Sequence, residues 1–217
     1  MKEYDLIVFD WDGTLVDSAA HIVHSIQSAA GDIGLEIPSD ERSRHIIGLG
    51  LLDAMEYLFP ALPRARYGDL TERYRVHYLA GEERVTLFAG VEAGIGLLKR
   101  QGRMLAVATG KSRVGLTRAF GSTGLGPYFD ASRCADEGFS KPHPDMLEYL
   151  LDHLGVAPDR ALMVGDTTHD VEMAHGARMD VAAVTFGAHD AGKLARSRPT
   201  YTHDEPARLW QWLTRPE

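Results

Sequence analysis

Short apolar runs alternate with helical patterns over most of the chain. Residues 6–9 (Leu6-Ile7-Val8-Phe9) form one such run, bounded by polar residues, as is typical of a strand buried on both faces. Similar runs predict strands at 104–108, 129–134, 161–164 and 181–184, and the helical spacing between and after them predicts helices at 90–100, 112–120, 144–154, 167–177 and 207–213. This alternation predicts an α/β fold, a Rossmann-like, doubly wound parallel sheet with helices on both faces.

A purely helical stretch interrupts the alternation directly after the first strand. Apolar residues three or four apart predict four helices between Ser18 and Leu79, and Ser18 and Ser39 suit the N-terminal ends of the first two. We therefore expect a catalytic core formed by residues 1–17 and 85–217, and a small all-helical cap domain formed by residues 18–84. Because the cap is inserted beside the end of the first strand, we expect it to be mobile and to select the substrate.

Polar residues end three of the predicted strands. Asp10-Trp11-Asp12 follows the first strand, Thr109-Gly110 follows the second long one, and Gly165-Asp166 follows a third. Each signal alone is weak, since an isolated D-x-D or Thr-Gly is more often a plain turn. In an open parallel sheet, however, ligands bind at the carboxyl ends of the strands, so we expect the three groups to converge at one edge.

The chemistry of these groups favours a metal ion and a phosphate. Asp10 and Asp12 repel each other unless a cation or proton lies between them, and an oxygen-only ligand set suits Mg²⁺. Asp166 and Asp170 would add two more carboxylates. Thr109 and the amides near Gly110 offer an anion site at the start of a helix. Lys141 is either a solvated loop charge or the counter-charge for these acids.

Composition narrows the class of protein. The formal charge of −8 gives no support for binding nucleic acid or an anionic membrane, and no apolar run is long enough to span a bilayer. Cys134 is the only cysteine, which fits a reducing compartment, and the N-terminus has no signal-peptide pattern. We expect a cytoplasmic protein without membrane or nucleic-acid partners, and a monomer by default.

Four segments taken together resemble the haloacid dehalogenase superfamily of phosphohydrolases, and most of all its phosphoglycolate-phosphatase-like branch. Asp10-Trp11-Asp12-Gly13-Thr14 matches the first motif of the family and Thr109-Gly110 the second. Lys141-Pro142 matches the third, and the run from Gly165 to Asp170 matches the fourth. The helical stretch after the first motif resembles the family's small cap.

The resemblance implies a role for each of these residues. Asp10 would be the nucleophile that forms an aspartyl-phosphate, and Asp12 would be the general acid and base. Mg²⁺ would bind the Asp10 carboxylate, the Asp12 backbone carbonyl and Asp166, while Asp170 would hold a metal-bound water or Lys141. The phosphoryl oxygens would be bound by Thr109, Gly110 and Lys141.

The function expected from this resemblance is Mg²⁺-dependent hydrolysis of a small phosphomonoester similar to phosphoglycolate. One alternative is a phosphomutase of the β-phosphoglucomutase type, but its cap histidine would fall at Ile22, beside His21. A dehalogenase would lack a carboxylate at Asp12. A non-catalytic protein that binds a phosphorylated metabolite is the alternative from another class.

Arg44 is the cap residue that we expect to read an anionic group of the substrate. It precedes the Gly48-Leu49-Gly50 turn, which could carry it to the mouth of the site. The alternative is an exposed helix face with no contact to substrate.

Overall fold

The structure is a computed structural model that describes residues 2–215. Its strands are β1 (Leu6–Phe9), β2 (Val16–Asp17), β3 (Thr86–Leu87), β4 (Met104–Thr109), β5 (Ala131–Cys134), β6 (Ala161–Gly165), β7 (Asp180–Val184) and β8 (Tyr201–His203). Its α-helices are α1 (Ala19–Asp32), α2 (Asp40–His45), α3 (Leu51–Leu58), α4 (Tyr67–Gly81), α5 (Val91–Arg100), α6 (Arg113–Thr123), α7 (Asp145–Leu154), α8 (Thr168–Gly176), α9 (Ala191–Arg196) and α10 (Pro206–Leu213).

Six strands form one parallel sheet in the order β5-β4-β1-β6-β7-β8. The first strand therefore lies in the middle, between β4 and β6. Phe9 is in register with Val107 on one side and Val164 on the other, so these three strands end at a common edge. This arrangement confirms the predicted doubly wound α/β core and brings the polar strand ends together.

Alternate residues of each strand pack into two separate hydrophobic layers. Ile7 and Phe9 face one layer, which includes residues of α5, α6 and α10. Leu6 and Val8 face the other, with residues of α7, α8 and α9. Because both faces are covered, the central strand β1 carries apolar side chains at every position rather than at every second one.

The inserted segment packs around its own apolar core. Helices α1, α3 and α4 contribute to this cluster together with Ile46 and Ile47, which follow α2, and Ala188 is a member from outside the insert. The two chain connections at the ends of the insert pair as an antiparallel ribbon, with Val16 opposite Leu87 and Asp17 opposite Thr86. The pairing ties the entry and exit of the helical segment together beside the end of β1.

Several short elements were not predicted from the sequence. Strands β2 and β3 have two residues each, too few to show an alternating pattern. Helix α9 has six residues, of which only Leu194 is buried, and β8 has three residues. The longer elements agree with the predicted order of strands and helices.

Among residues 2–215, the helices are all too short or too polar to cross a bilayer.

Candidate active site

Asp10 lies at the centre of a charged group buried at the carboxyl ends of the strands. Its Oδ1 is 2.6 Å from the Lys141 ammonium, which is also 2.7 Å from Oδ1 of Asp170. All three side chains are without solvent exposure. Together with Asp166, also fully buried, they form what we call the acid–lysine cluster.

The start of helix α8 holds Asp170 in place. Both the backbone N–H and the hydroxyl of Thr167 donate to Asp170 Oδ2, at 3.0 and 2.7 Å, completing a capping box at the helix N-terminus. Because Lys141 occupies the other oxygen, each Asp170 oxygen already has a partner. This carboxylate therefore serves to orient Lys141.

Asp166 is enclosed by two tight backbone turns. Its oxygens accept from the Thr14 hydroxyl at 3.0 Å and from the Ala188 N–H at 2.6 Å. A Cβ added at Gly13 or at Gly187 would overlap the Asp166 carboxylate. Glycine at these two positions lets the turn after Asp12 and the loop after β7 close around the acid.

Burial and charge shift the pKa values of the cluster in opposite directions. Burial raises the pKa of Asp10 to about 7, against the effect of Lys141. Burial and the neighbouring Asp10 and Asp170 hold the pKa of Asp166 well above its usual range. Burial alone would also raise the pKa of Asp170, but Lys141 and the Thr167 hydrogen bonds lower it. The negative charge on Asp10 and Asp166 is thus less well compensated than that on Asp170.

The donor atoms fit a hard divalent cation. One oxygen from each of Asp10, Asp166 and Asp170 lies within 4.8 Å of the others, and Asp10 Oδ2 is buried with no hydrogen-bond partner among the described residues. A buried oxygen without a donor is costly, and a cation would satisfy it. An all-oxygen ligand set suits Mg²⁺. Of the three carboxylates, only Asp10 has an oxygen without a hydrogen-bond partner among the described residues, whereas each oxygen of Asp166 and Asp170 accepts at least one hydrogen bond.

Asp12 has partners separate from those of the acid–lysine cluster. The Ser18 hydroxyl donates to its Oδ1 at 2.7 Å, and the Lys111 ammonium is 3.0 Å from its Oδ2. Lys111 also donates to the hydroxyl of Tyr78 on α4, at 2.9 Å. Burial alone would lower the pKa of Lys111, but Asp12 and Tyr78 raise it above its usual range. A side chain of the helical insert thus reaches Asp12 through one lysine.

Ser18 therefore differs from its predicted role. It stands at the N-terminal end of α1, as the sequence indicated, but its side chain makes no capping hydrogen bond. The hydroxyl is used to hold Asp12 instead.

Thr109 and Gly110 lie where the helical insert comes closest to the sheet. The Thr109 hydroxyl accepts from the Lys111 N–H at 3.2 Å. A Cβ at Gly110 would overlap the backbone of Gly48 and Leu49. Only glycine permits this approach of the 48–49 turn to the strand end.

Three further contacts fix the insert over the strand ends. Ser140 accepts from the Gly50 N–H at 2.7 Å. The backbone carbonyl of His45 accepts from the imidazoles of His169 and His189, at 2.7 and 3.1 Å. The insert is therefore seated on the sheet edge in this structure.

A cavity of about 940 Å³ lies between the insert and the sheet edge; we call it the cap–core cavity. Its lining includes Asp12, Gly110 and Lys111 at the strand ends, together with residues of α1, α3, α4, α6 and the 135–140 loop. A substrate entering here would meet Asp12 before the fully buried cluster behind it.

The family model for haloacid dehalogenase-like hydrolases matches residues 7–184, most of the chain. This chain belongs to that family. The matched segment contains every residue of the acid–lysine cluster as well as Asp12, Thr109 and Lys111. The resemblance seen in the four motifs is confirmed, and with it the class of enzyme, a phosphatase-type hydrolase.

Named relatives and solved structures agree with this family. The hydrolase is 36% identical over 201 residues to "Probable phosphatase IndB" of Dickeya dadantii, covering 89% of this chain and 86% of that protein. It is 33% identical to a phosphoglycolate phosphatase of Agrobacterium fabrum, over 94% of this chain and 90% of the relative. A crystal structure described as a predicted phosphoglycolate phosphatase from Haemophilus somnus superposes with a TM-score of 0.84 at 28% identity, covering 98% and 99% of the two chains.

The site of the hydrolase joins most of the residues singled out from the sequence. Asp10, Asp166, Asp170 and Lys141 are within one cluster, with Asp12 and Thr109-Gly110 beside it. Arg44 is different: it is half-buried and does not appear among the described residues that line the cap–core cavity. The structure therefore does not bring Arg44 together with the other predicted site residues.

Lys111 and Tyr78 are site residues that the sequence did not indicate as such. The sequence predicts an anion site only in the backbone amides near Gly110, whereas the structure pairs the Lys111 side chain, 12% exposed, with Asp12. The lysine directly after Thr109-Gly110 was the available signal. Tyr78 carried none, because it became a partner only when α4 docked over the strand end.

Proposed function

We propose that this hydrolase is a Mg²⁺-dependent phosphatase that cleaves a small phosphomonoester through an aspartyl-phosphate on Asp10. The observation that carries the proposal is the buried Asp10 carboxylate, with Lys141 on one oxygen and no hydrogen-bond donor from residues 2–215 on the other. A carboxylate held in this way is a competent nucleophile toward phosphorus, and its neighbours neutralise charge that develops on the phosphoryl group.

In the first half of the reaction, an Asp10 oxygen bonds to phosphorus while the bond from phosphorus to the ester oxygen breaks. Asp12, in its protonated form, gives its proton to the departing oxygen, and the alcohol is released. Ser18 and Lys111 contact the two oxygens of Asp12 and fix the orientation of this carboxyl group toward the cap–core cavity.

In the second half, Asp12 takes a proton from water, whose oxygen bonds to phosphorus. The bond from phosphorus to Asp10 breaks, which restores the Asp10 carboxylate and releases inorganic phosphate. Lys141 compensates negative charge throughout, and Asp170 keeps it directed at Asp10.

Asp10, Asp166 and the backbone carbonyl of Asp12 are the groups that would hold Mg²⁺, and Asp170 would act through Lys141 or a water. The bound ion supplies positive charge to the phosphoryl oxygens. We also propose residues 18–84 as the cap and residues 1–17 and 85–217 as the core, with closure of the cap excluding water from the reaction.

The phosphomutase alternative finds less support. The ring of His21 donates to the Tyr78 backbone carbonyl at 2.8 Å and packs against the Tyr78 ring. Ile22 stands on the cavity wall instead. His21 is therefore engaged within the insert, and the cavity-lining position next to it holds an isoleucine in place of a histidine. Support for a phosphoglycolate-like substrate comes only from the names of similar proteins.

Trapping of the intermediate tests the proposal. Enzyme in excess over ethyl phosphate and Mg²⁺ is quenched in acid, reduced with borohydride and digested, and residue 10 should be recovered as homoserine by peptide mass spectrometry. Asp10→Asn under the same treatment should give an unmodified peptide. Phosphate release by the native enzyme without any reduced residue 10 would contradict the covalent mechanism.

A further inference from the structure

We infer that the organic part of the substrate is uncharged and substantially apolar, and larger than the two-carbon acid of phosphoglycolate. The inference rests on the proposed phosphatase function and concerns the cap–core cavity rather than the acid–lysine cluster. Size, wall composition and charge each point to it independently.

The cavity is large for a two-carbon substrate. Its volume of about 940 Å³ lies near the top of the range of about 300–1,000 Å³ found for pockets that enclose drug-sized molecules. The insert contacts the core through Gly48, Leu49 and Gly50, which also line the cavity. A substrate that fills it must carry a sizeable organic group.

Four of the apolar side chains that line the cavity are unusually exposed. They are Leu52 on α3 (50% exposed), Leu79 on α4 (45%), Val114 on α6 (69%) and Phe139 after β5 (64%). Two come from the insert and two from the core, and they share one cavity. Exposed apolar surface that converges on a concave site is typical of ligand binding, and it is removed from water when an apolar group enters.

The charges on the wall disfavour a second anion. The basic residues lining the cavity in the described chain each have an acidic partner: Lys111 pairs with Asp12 at 3.0 Å, Arg75 with Glu72 at 3.5 Å and Arg118 with Glu82 at 3.7 Å. Acidic lining residues, namely Asp12, Asp53, Glu82 and Asp136, outnumber the basic ones. Each basic side chain of the wall is thus already engaged by an acid, an arrangement that favours a neutral group over a second carboxylate on the substrate.

Two matched pairs of esters test size and charge separately. Hexyl and ethyl phosphate share the same leaving-group chemistry but differ in apolar area, and we expect kcat/KM to be higher for hexyl phosphate by about tenfold or more. Phosphoglycolamide and phosphoglycolate are similar in size but differ in charge. We expect the amide to be preferred by about threefold or more.

Two variants on α4 test whether the preference for hexyl over ethyl phosphate arises at the cavity wall. Leu79 lines the cavity, whereas Val76 is similarly exposed (49%) on the same helix but is not part of the wall. Leu79→Gln should lower the ratio of kcat/KM for hexyl over ethyl phosphate about five- to tenfold, and Val76→Gln should leave this ratio unchanged. Val114→Gln, on the core side of the cavity, serves as a second wall variant if Leu79→Gln does not fold.

Preference for phosphoglycolate over both phosphoglycolamide and hexyl phosphate would overturn the inference while leaving the phosphatase function intact. An unchanged hexyl-to-ethyl ratio in the folded wall variants would also overturn it. Failure to release phosphate from any of the four esters with Mg²⁺ present would overturn the proposed function, and the inference with it.

Discussion

The acid–lysine cluster and the cap–core cavity meet at Asp12, yet their charges are held in different ways. In the cluster, Lys141 is fully buried and bonded to two fully buried carboxylates. On the cavity wall, Arg118 and Arg75 are partly exposed and lie 3.5–3.7 Å from their acids. Buried pairs are rigid and costly to break, whereas exposed pairs contribute little and rearrange easily. The difference separates a fixed site for chemistry from an adaptable surface for recognition.

The largest effect is expected from removing the nucleophile. Asp10→Asn is nearly isosteric, so the fold should persist, but the side chain loses its charge and its ability to form an acyl phosphate. We expect kcat to fall by roughly a thousandfold or more, measured as phosphate release, with a native circular dichroism spectrum as the control. Turnover within about tenfold of native would show that Asp10 is not the nucleophile.

Metal removal acts on the same cluster. Chelation should reduce phosphate release to background, and Mg²⁺ should restore it better than Ca²⁺, which takes a larger and looser shell of oxygen ligands. Mg²⁺ should also raise the melting temperature, because it binds the folded state and relieves repulsion among buried carboxylates. Full activity after exhaustive chelation would rule out a metal requirement.

Substitution of two lysines compares the contribution of a buried ion pair to stability with that of an exposed one. Lys141→Met leaves Asp10 and Asp170 without their counter-charge, and we expect it to lower the free energy of unfolding by about 3–5 kcal/mol. Lys193 pairs with Glu41, which is 79% exposed, so Lys193→Met should cost under about 1 kcal/mol. Urea denaturation of the metal-free proteins measures both, and equal losses would remove the distinction between cluster and surface.

Substitutions at Lys111 and Tyr78 test the contacts of Asp12, where the acid–lysine cluster and the cap–core cavity meet. Lys111→Met removes the cation beside Asp12, and we expect kcat to fall about ten- to a hundredfold because the acid and base loses its orientation. Tyr78→Phe removes only the hydroxyl that contacts Lys111, and should cost about two- to fivefold. If Tyr78→Phe were as damaging as Lys111→Met, the contact from α4 would be the dominant one at this site.

The smallest effect is expected at Arg44. The sequence alone predicts that Arg44→Ala raises KM for an anionic substrate about tenfold or more, as for loss of a charge-assisted hydrogen bond. Because Arg44 is not among the described residues that line the cavity, the structure leads us to expect less than about a threefold change in KM. Steady-state kinetics with phosphoglycolate decides between the two.

The sequence by itself determined the core of this protein. Continuous apolar runs identify β1, β4 and β6 as buried strands, and the polar residues that end them must meet because parallel strands share a carboxyl edge. Asp10, Asp12, Thr109 and Asp166 could thus be assigned to one site from local pattern and topology alone.

Only the tertiary structure decided how the insert meets that edge. The pairing of Lys111 with Asp12 and Tyr78, the use of the Ser18 hydroxyl, and which insert residues line the cavity all depend on how α1 to α4 dock. Residues on these helices that are distant in sequence become neighbours without any periodic signal. Strands of two or three residues, such as β2 and β8, likewise form because their partners are already in place, since so short a segment has no pattern of its own.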